Sequence, residues 1–405
     1  MTKCKFLLYF VSSTLWEQLR YCSNWGAKRR RERGGLVLGL SFLCLGAQAQ
    51  LSRSEAESVR SRVIDEWRTE QAAVLKPNIE NHCISQDALR MPFDVKVFGD
   101  EPSEGRSMWI SMHGGGNAPK SLNDSQWENQ KVLYQPAEGI YVAPRAPWDD
   151  WDMWFKPPID SMFNELIRTC VILYNVNPDR VYLMGYSAGG DGVWRMAPRM
   201  ADSWAAASMM AGHPGDVDLR PLRNLPFMIW CGGNDAAYDR NHIDAERGRQ
   251  MDSLQRADPD GYIHETHILP GKPHWMDLED KAALPWMARF SRNPCPTSVV
   301  WVQGDRPHTW FYWLGIPSSE AKKGCYIKAG IKGNTITIDT NDYSEATLYL
   351  NDTLVDLDKA ITVKHGKKTV FKGKLLRTEA NLRTTLAQRG DPGYCFPSKV
   401  TVTLK

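Results

Sequence analysis

The stretch VYLMGYSAGG at residues 181–190 decides the fold. An apolar, β-forming run enters the pattern G-x-S-x-G at residues 185–189 and leaves it into a predicted helix over 189–200. In a strand–turn–helix context, this pattern is typical of a tight turn that presents a nucleophilic serine, and the flanking glycines remove side-chain clashes at the turn. The sequence therefore predicts that Ser187 is a nucleophile at a helix N-terminus, where the helix dipole stabilises negative charge.

A serine hydroxyl needs a base that removes its proton, and His274 fits that role best among the nine histidines. When a serine nucleophile follows a central strand, the acid and then the base come later in the chain, the base after the last strand of the sheet. His274 lies in the loop that follows the predicted strand 264–269. The other histidines precede Ser187, follow it too early, or fall inside strands or in the C-terminal part.

Asp235 is the preferred acid, because it follows the predicted strand 225–231 across a Gly-Gly-Asn turn. A carboxylate placed there can orient the imidazole and stabilise its protonated form. Asp239, four residues further on, is a rival, and Asp277 is a weaker one.

The sequence HGGG at residues 113–116 ends the predicted strand 107–112. Such a turn offers backbone N–H groups to a developing oxyanion, and the residue after the nucleophile supplies a second donor. We therefore predict an oxyanion hole formed by Ala188 with Gly115 and Gly116. A glycine-rich phosphate cradle is the alternative, but neither G-K-[ST] nor G-x-G-x-x-G completes it.

Four tryptophans fall in loops that should border the same crevice, because ligands bind at the carboxyl ends of parallel strands. Trp148, Trp151 and Trp154 follow the predicted strand 139–143, and Trp275 adjoins the proposed base. We predict an aromatic substrate platform here, with simple packing as the alternative. The acidic residues between these tryptophans are expected to form an exposed loop rather than a cation site. The Cys and His spacing indicates no metal site, so no metal or other cofactor is predicted.

Strands alternate with helices along residues 76–295, which predicts an α/β class with a doubly wound, mostly parallel sheet. A helix is predicted over 53–75, with Ser52 or Ser54 as its N-cap. The other predicted strands and helices of this part are 180–184, 205–210, 159–173, 244–257 and 281–290.

The pattern changes near Pro294-Cys295-Pro296 to short alternating strands, which predicts a small β-rich domain. Its predicted strands are 299–302, 310–315, 335–339, 346–350, 361–363 and 400–404, with one helix at 380–388. The predicted organisation is a targeting segment at 1–49, a catalytic domain at 50–295 and an accessory domain at 296–405.

The N-terminal segment predicts export. A basic cluster at 28–33, an apolar run at 36–45 and the small-x-small sequence ending at Ala49 are typical of a signal peptide, although a buried helix is the alternative. An apolar run of this length is too short to cross a membrane, so no stable span is expected. We therefore predict a secreted or periplasmic protein cleaved near Ala49.

Charge and cysteine content narrow the possible partners. The formal charge is +3, but residues 1–49 hold eight Lys or Arg and two Glu, so the remaining chain is mildly acidic. An acidic body gives no electrostatic reason to bind nucleic acid. Six of the nine cysteines lie after residue 49. A Cys325–Cys395 disulfide is one expectation, and free buried thiols are equally favoured.

From residue 112 to 290 the chain resembles α/β-hydrolases of the putative-esterase group. That group includes dienelactone-hydrolase-like proteins, feruloyl and acetylxylan esterases, and polyhydroxybutyrate depolymerases. The resemblance is carried by HGGG at 113–116, GYSAGGDGVW at 185–194, MMAGHP at 209–214, GGNDAAY at 232–238 and GKPHWMD at 271–277. It implies the same triad of Ser187, Asp235 and His274. Dienelactone hydrolases use a cysteine nucleophile, so the serine argues against that narrower activity.

The predicted function is that of an exported serine carboxylesterase that forms an acyl-enzyme with a small-molecule or polymeric ester. One alternative is a prolyl-oligopeptidase-like serine peptidase, although residues 50–100 are too short to build the propeller of those enzymes. The other alternative is a non-catalytic binding protein on the same scaffold. The β-rich tail is expected either to stabilise the catalytic domain or to contact a polysaccharide or polyester.

Overall fold

A computed structural model describes residues 50–340 and 342–404, which all fall in one compact unit. The predicted signal segment and its cleavage position near Ala49 lie outside the described residues.

The larger sheet has eight strands in the spatial order β1-β2-β4-β3-β5-β6-β7-β8. The β1–β2 and β2–β4 pairs are antiparallel, and every other neighbouring pair is parallel. All residues of β4, β6 and β7 are buried, as expected for strands that are covered on both faces. The strands are Cys83–Gln86 (β1), Leu89–Phe98 (β2), Arg106–Met112 (β3), Gly139–Pro144 (β4), Val176–Tyr186 (β5), Ala206–Met210 (β6), Phe227–Gly232 (β7) and His264–Leu269 (β8).

Helices cover both faces of this sheet. Alternate residues of β3 enter different cores: Ile110 packs into one apolar cluster and Trp109 into another on the opposite face. The α-helices of the described residues are Arg53–Glu80 (α1), Lys120–Leu133 (α2), Ile159–Leu173 (α3), Ala188–Arg199 (α4), Arg240–Ala257 (α5), Ala283–Met287 (α6) and Glu379–Arg389 (α7). Helix α1 begins with a reciprocal capping box between Ser52 and Glu55, which settles the choice of N-cap in favour of Ser52.

This arrangement is the α/β-hydrolase fold: a mostly parallel, doubly wound sheet with the G-x-S-x-G turn directly after a central strand. The predicted fold class is therefore confirmed. The predicted strand 264–269 and helix 159–173 match the observed bounds, and other elements differ by a few residues. Three elements of this part escaped prediction, namely β1, β2 and α2. Helix α2 is polar and buries Asn123 and Gln130, so it lacks a clear apolar face.

The C-terminal residues form two smaller sheets with the orders β10-β11-β14-β17 and β16-β15-β13-β12-β9. Their strands are Ser298–Val302 (β9), Trp310–Phe311 (β10), Leu314–Gly315 (β11), Tyr326–Lys332 (β12), Thr335–Asp339 (β13), Glu345–Leu350 (β14), Ile361–His365 (β15), Lys368–Gly373 (β16) and Ser398–Thr403 (β17). Buried residues of both sheets, such as Leu348 and Ile336, belong to the same apolar cluster as Ile110 of β3. The β-rich part therefore shares a continuous core with the larger sheet.

The expected Cys325–Cys395 disulfide is wrong, because all six cysteines among the described residues are free. Cys325 directly precedes β12 in the five-stranded sheet, whereas Cys395 is buried in a separate cluster with Trp67 and Leu382. The Cys395 thiol donates a hydrogen bond to the Leu382 carbonyl oxygen at 3.4 Å. Free thiols, the equally favoured alternative, are what the structure contains.

Candidate active site

Ser187 sits on a strained turn between β5 and α4. Its backbone has φ 58° and ψ −121°, a region that residues with a Cβ rarely adopt, and its N–H donates to the Met210 carbonyl oxygen at 2.9 Å. A Cβ on Gly189 would collide with the Met112 carbonyl oxygen, and one on Gly185 would collide with Gly189. The glycines are thus required because backbone segments pass very close to each other, as the sequence pattern indicated.

His274 reaches this serine from the loop after β8. Its Nε2 lies 3.0 Å from the Ser187 Oγ, and its Nδ1 lies 2.6 Å from the Asp235 Oδ2. Because a carboxylate can only accept, Nδ1 carries the proton of the neutral ring and Nε2 is left to accept the serine proton. The imidazole side chain is 42% exposed, so the site opens to solvent.

Asp235 is buried in the turn that follows β7. Its N–H donates to the Gly232 carbonyl oxygen at 3.0 Å, and its second carboxylate oxygen lies 3.6 Å from the Arg240 Nη1. The two rival carboxylates point elsewhere. Asp239 pairs with the exposed His242 at 2.7 Å, and Asp277 pairs with Lys272 at 2.9 Å. The structure thus brings together Ser187, His274 and Asp235.

The glycine turn after β3 lies beside the serine. A Cβ on Gly114 would be 3.1 Å from the Ser187 Cβ, and Gly115 and Gly116 have φ values of 101° and 76°. The Gly116 N–H already donates to the Asn123 Oδ1 at 2.7 Å. The expectation for Gly116 is therefore corrected: its N–H is held by a side chain of α2 and is not free for an oxyanion.

Ala188 is the first residue of α4, so its N–H has no acceptor within the helix. This N–H directly follows Ser187 in the chain, and Gly115 precedes the occupied Gly116 in the glycine turn. Asn123 completes the turn: its side chain is buried, and its amide also donates to the Ala118 carbonyl oxygen at 3.0 Å. Sequence reasoning missed this residue, because a lone asparagine in a polar helix carries no distinguishing pattern.

His113 supports the same turn from inside the protein. It accepts the Ala146 N–H on Nε2 at 3.1 Å and donates from Nδ1 to the Gly114 carbonyl oxygen at 2.6 Å. Burial lowers the pKa of His113 to about 4, so the ring stays neutral above that pH. Its role is to hold the chain around the glycines.

The four predicted platform tryptophans take three different environments. Trp151 and Trp275 are 62% and 44% exposed, and Trp148 is half-buried. The expectation for Trp154 is wrong, because this residue is fully buried and its Nε1–H donates to the His113 carbonyl oxygen at 2.9 Å. It packs in the core and helps to fix the glycine turn.

One exposed aromatic residue near the site was missed. Tyr238 is 77% exposed, follows Asp235 by three residues and has a φ of 56°. The sequence GGNDAAY showed this tyrosine but not its exposure. Trp151, Tyr238 and Trp275, which come from the loops after β4, β7 and β8, are here called the aromatic rim.

Among the described residues, no group of three or more His, Cys, Asp or Glu is arranged to hold a metal ion. In the same part of the chain, none of the helices combines the length and apolarity needed to cross a bilayer.

The fold and the Ser187–His274–Asp235 arrangement define the class: an α/β-hydrolase with a serine at its nucleophile turn. No family model and no curated protein matches the chain. Many solved structures are similar to it. A thermostable esterase is 18% identical with a TM-score of 0.40, over 52% of this chain and 62% of that chain. A feruloyl esterase module from Clostridium thermocellum is 15% identical with a TM-score of 0.37, over 50% and 83%.

The fluorophosphonate-binding serine hydrolase FphF of Staphylococcus aureus is also similar, at 13% identity and a TM-score of 0.36, over 51% of this chain and 96% of that chain. The three similar structures named here are thus esterases or serine hydrolases, as the sequence resemblance predicted. The class itself rests on the sheet topology and on the position of the serine turn.

Proposed function

We propose that this protein is a serine hydrolase that cleaves carboxylic esters through an acyl-enzyme. The observation that carries the proposal is the pair of contacts made by His274, 3.0 Å to the Ser187 hydroxyl and 2.6 Å to the Asp235 carboxylate. Both contacts fall within the range in which a base can take a proton from its nucleophile while an acid orients it.

In the first half-reaction, the Ser187 Oγ attacks the carbonyl carbon of the ester while the His274 Nε2 takes its proton. The buried Asp235 stabilises the imidazolium that forms. When the tetrahedral intermediate collapses, the bond to the leaving alcohol breaks and His274 returns the proton to that oxygen. The product of this step is an ester between the acyl group and Ser187.

The negative charge of the tetrahedral oxygen needs donors that are in place before the reaction. We assign this role to the N–H groups of Ala188 and Gly115, with Asn123 and His113 holding the turn that carries Gly115. Each such donor typically lowers the barrier by about 3 kcal/mol.

In the second half-reaction, water replaces the alcohol. His274 takes a proton from the water, the hydroxide adds to the acyl carbon, and the bond to the Ser187 Oγ breaks with return of the proton. The substrate binds against the aromatic rim, whose exposed rings can pack on an acyl, aryl or sugar group. The exposure of His274 fits a site that accepts bulky or polymeric esters.

The proposal extends to export and to the two-domain division. Residues 1–49 would direct the chain to the periplasm or the exterior, and residues 296–405 would form an accessory β-rich domain whose apolar core is continuous with that of the catalytic domain. Contact of that domain with a polysaccharide is part of the same proposal.

Purified protein tests the chemistry directly. The wild type should hydrolyse p-nitrophenyl acetate and react covalently with a fluorophosphonate probe, and Ser187→Ala should do neither. A variant that keeps most of the turnover without Ser187 would contradict the proposal. Faster cleavage of aminoacyl arylamides than of esters would instead indicate a peptidase.

A further inference from the structure

His274 lies in an irregular segment that needs to be held in place. Strand β8 ends at Leu269, and the next element, a single 3-10 turn, begins at Glu279. Between them Asp277 and Leu278 have φ values of 54° and 62°, so the chain reverses sharply soon after the base. A base at the centre of such a loop keeps its geometry only if neighbouring groups fix the backbone.

Tyr186 supplies two such contacts through one hydroxyl group. The hydroxyl donates to the backbone carbonyl oxygen of His274 at 2.6 Å and accepts the Met276 N–H at 3.1 Å. The two bonds thus hold the chain at His274 itself and two residues after it. The phenol ring also packs edge-on against the imidazole, with 5.9 Å between the ring centroids.

Because of the position of Tyr186 in the chain, these contacts connect the His274 loop to the nucleophile. Tyr186 is the last residue of β5 and directly precedes Ser187. If the loop moves relative to the Tyr186 hydroxyl, His274 therefore also moves relative to Ser187. Burial raises the pKa of the Tyr186 phenol, so the hydroxyl keeps the proton that it donates.

We propose that Tyr186 is a positioning residue that sets the distance between His274 and Ser187 by bonding to the backbone at His274 and at Met276. This inference rests on the proposed function, because it concerns the same nucleophile and base. It assigns no contact with substrate to Tyr186, so loss of the hydroxyl should lower kcat by a larger factor than it changes KM. Any change in KM would come from Trp275 of the aromatic rim, which lies between the two bonded backbone groups.

The chain offers a matched control. Tyr182 lies on the same strand in the same apolar cluster, and its hydroxyl donates to the backbone carbonyl oxygen of Phe290 at 2.9 Å. Tyr182→Phe and Tyr186→Phe therefore each remove one buried hydroxyl that bonds to backbone, but only the second removes a contact with the base.

The experiment measures kcat and KM of wild type, Y186F, Y182F and S187A with p-nitrophenyl acetate, together with melting temperatures. Because displacement of a reacting group by about 1 Å can cost a factor of 100, kcat of Y186F should fall by a factor of about 10–100, and this factor should exceed any change in KM. Y182F should keep the kcat of wild type within about threefold. The rate of fluorophosphonate labelling per folded molecule should fall in Y186F as kcat does, which separates lost geometry from lost protein.

The inference is overturned if Y186F and Y182F lose the same factor in kcat, or if Y186F changes KM alone. Failure of the proposed function gives a different result. In that case wild type and S187A would show equal turnover, and no variant at residue 186 would matter.

Discussion

Replacing Asp235 by asparagine is the sharpest test of the proposed triad, because the substitution keeps the shape of the side chain and removes its charge. In the structure, the Asp235 carboxylate accepts a hydrogen bond from the His274 Nδ1–H at 2.6 Å. An amide that turns its NH2 group toward this nitrogen forces the ring proton to Nε2. The Nε2 then faces Ser187 as a donor and cannot take its proton.

The expected magnitude follows from that change of tautomer. The asparagine substitution in a Ser-His-Asp triad lowers kcat by about 10⁴, which is about 5 kcal/mol of barrier. D235N also replaces the negative charge 3.6 Å from the Arg240 Nη1 with a neutral amide oxygen, so the variant should unfold more easily as well. Initial rates must therefore be measured well below its melting temperature.

Asp239→Asn is the matched control, because Asp239 is the rival acid of the sequence pattern. Its carboxylate pairs with the exposed His242, so D239N should keep kcat/KM with p-nitrophenyl acetate within about twofold of wild type, as is usual for exposed pairs. If D239N loses more activity than D235N, or if D235N keeps more than about a tenth of the wild-type kcat, the reasoning on tautomers fails.

Three further predictions concern stability. The free energy of unfolding of S187G should be about 1 kcal/mol higher than that of S187A, because glycine adopts a φ of 58° without a Cβ clash. Chemical denaturation of the two variants measures this difference. The full chain should unfold in one calorimetric transition and a deletion of residues 297–405 should be insoluble, because both parts share one core. Burial raises the pKa of Asp280 from 3.8 to about 6, so Asp280→Asn should gain up to about 3 kcal/mol over wild type as the pH rises from about 4 to 6.

The sign of the Asp280 effect comes from the proton, which the native state binds more tightly than the unfolded chain. The stability that the bound proton confers is present below pH 3.8 and is lost as the pH rises through about 6, where a buried charge must form. A variant without a titrating group has no such loss. Equal pH profiles of unfolding for D280N and wild type would contradict this account. For the other two predictions, two separate calorimetric transitions of the full chain would contradict the shared core. A lower free energy of unfolding for S187G than for S187A would contradict the strain at the serine turn.

The residues of the site could be located from the sequence because each lies at a position that the fold makes unique. Ser187, Asp235 and His274 lie one, three and five residues after the ends of three parallel strands, and the carboxyl ends of parallel strands meet at one edge of a sheet. Strand order and a few turn residues are enough to assign them. The same reasoning failed for Gly116 as an oxyanion donor. Its N–H donates to the Asn123 side chain of α2, a helix whose polar sequence gave no signal.

The antiparallel strands β1 and β2 escaped prediction for a related reason. Their burial alternates irregularly: β1 is the edge strand and β2 lies next to it, and partial exposure there blurs the hydrophobic pattern. The cysteine pairing could not be found from composition either. Both Cys325 and Cys395 belong to the β-rich part, yet one adjoins a sheet strand and the other packs against α1 and α7.

The aromatic rim was harder to predict than the triad, because exposure is a property of the assembled loops. Trp148, Trp151 and Trp154 recur at the same spacing, yet one is half-buried, one is exposed and one is in the core. What separates them is tertiary contact. The Nε1–H of Trp154 donates a hydrogen bond to the His113 carbonyl oxygen, whereas the Trp151 ring packs edge-on against Phe155 with 5.4 Å between the ring centroids.

Phe155 links the rim to the β-rich part of the chain. The Arg306 guanidinium, from the loop between β9 and β10, donates to the Phe155 carbonyl oxygen at 2.9 Å, and Arg195 of α4 lies over the Phe155 ring at 5.2 Å. The ring beneath Trp151 is therefore held by contacts from both parts of the chain. The triad is built entirely on the larger sheet. A change in the loop between β9 and β10 can therefore shift Trp151 without moving Ser187 or His274. Under the proposed function, Trp151 of the rim and the triad are thus supported by different sets of contacts, whereas Trp275 adjoins His274 and packs against Tyr186 with 5.6 Å between the ring centroids.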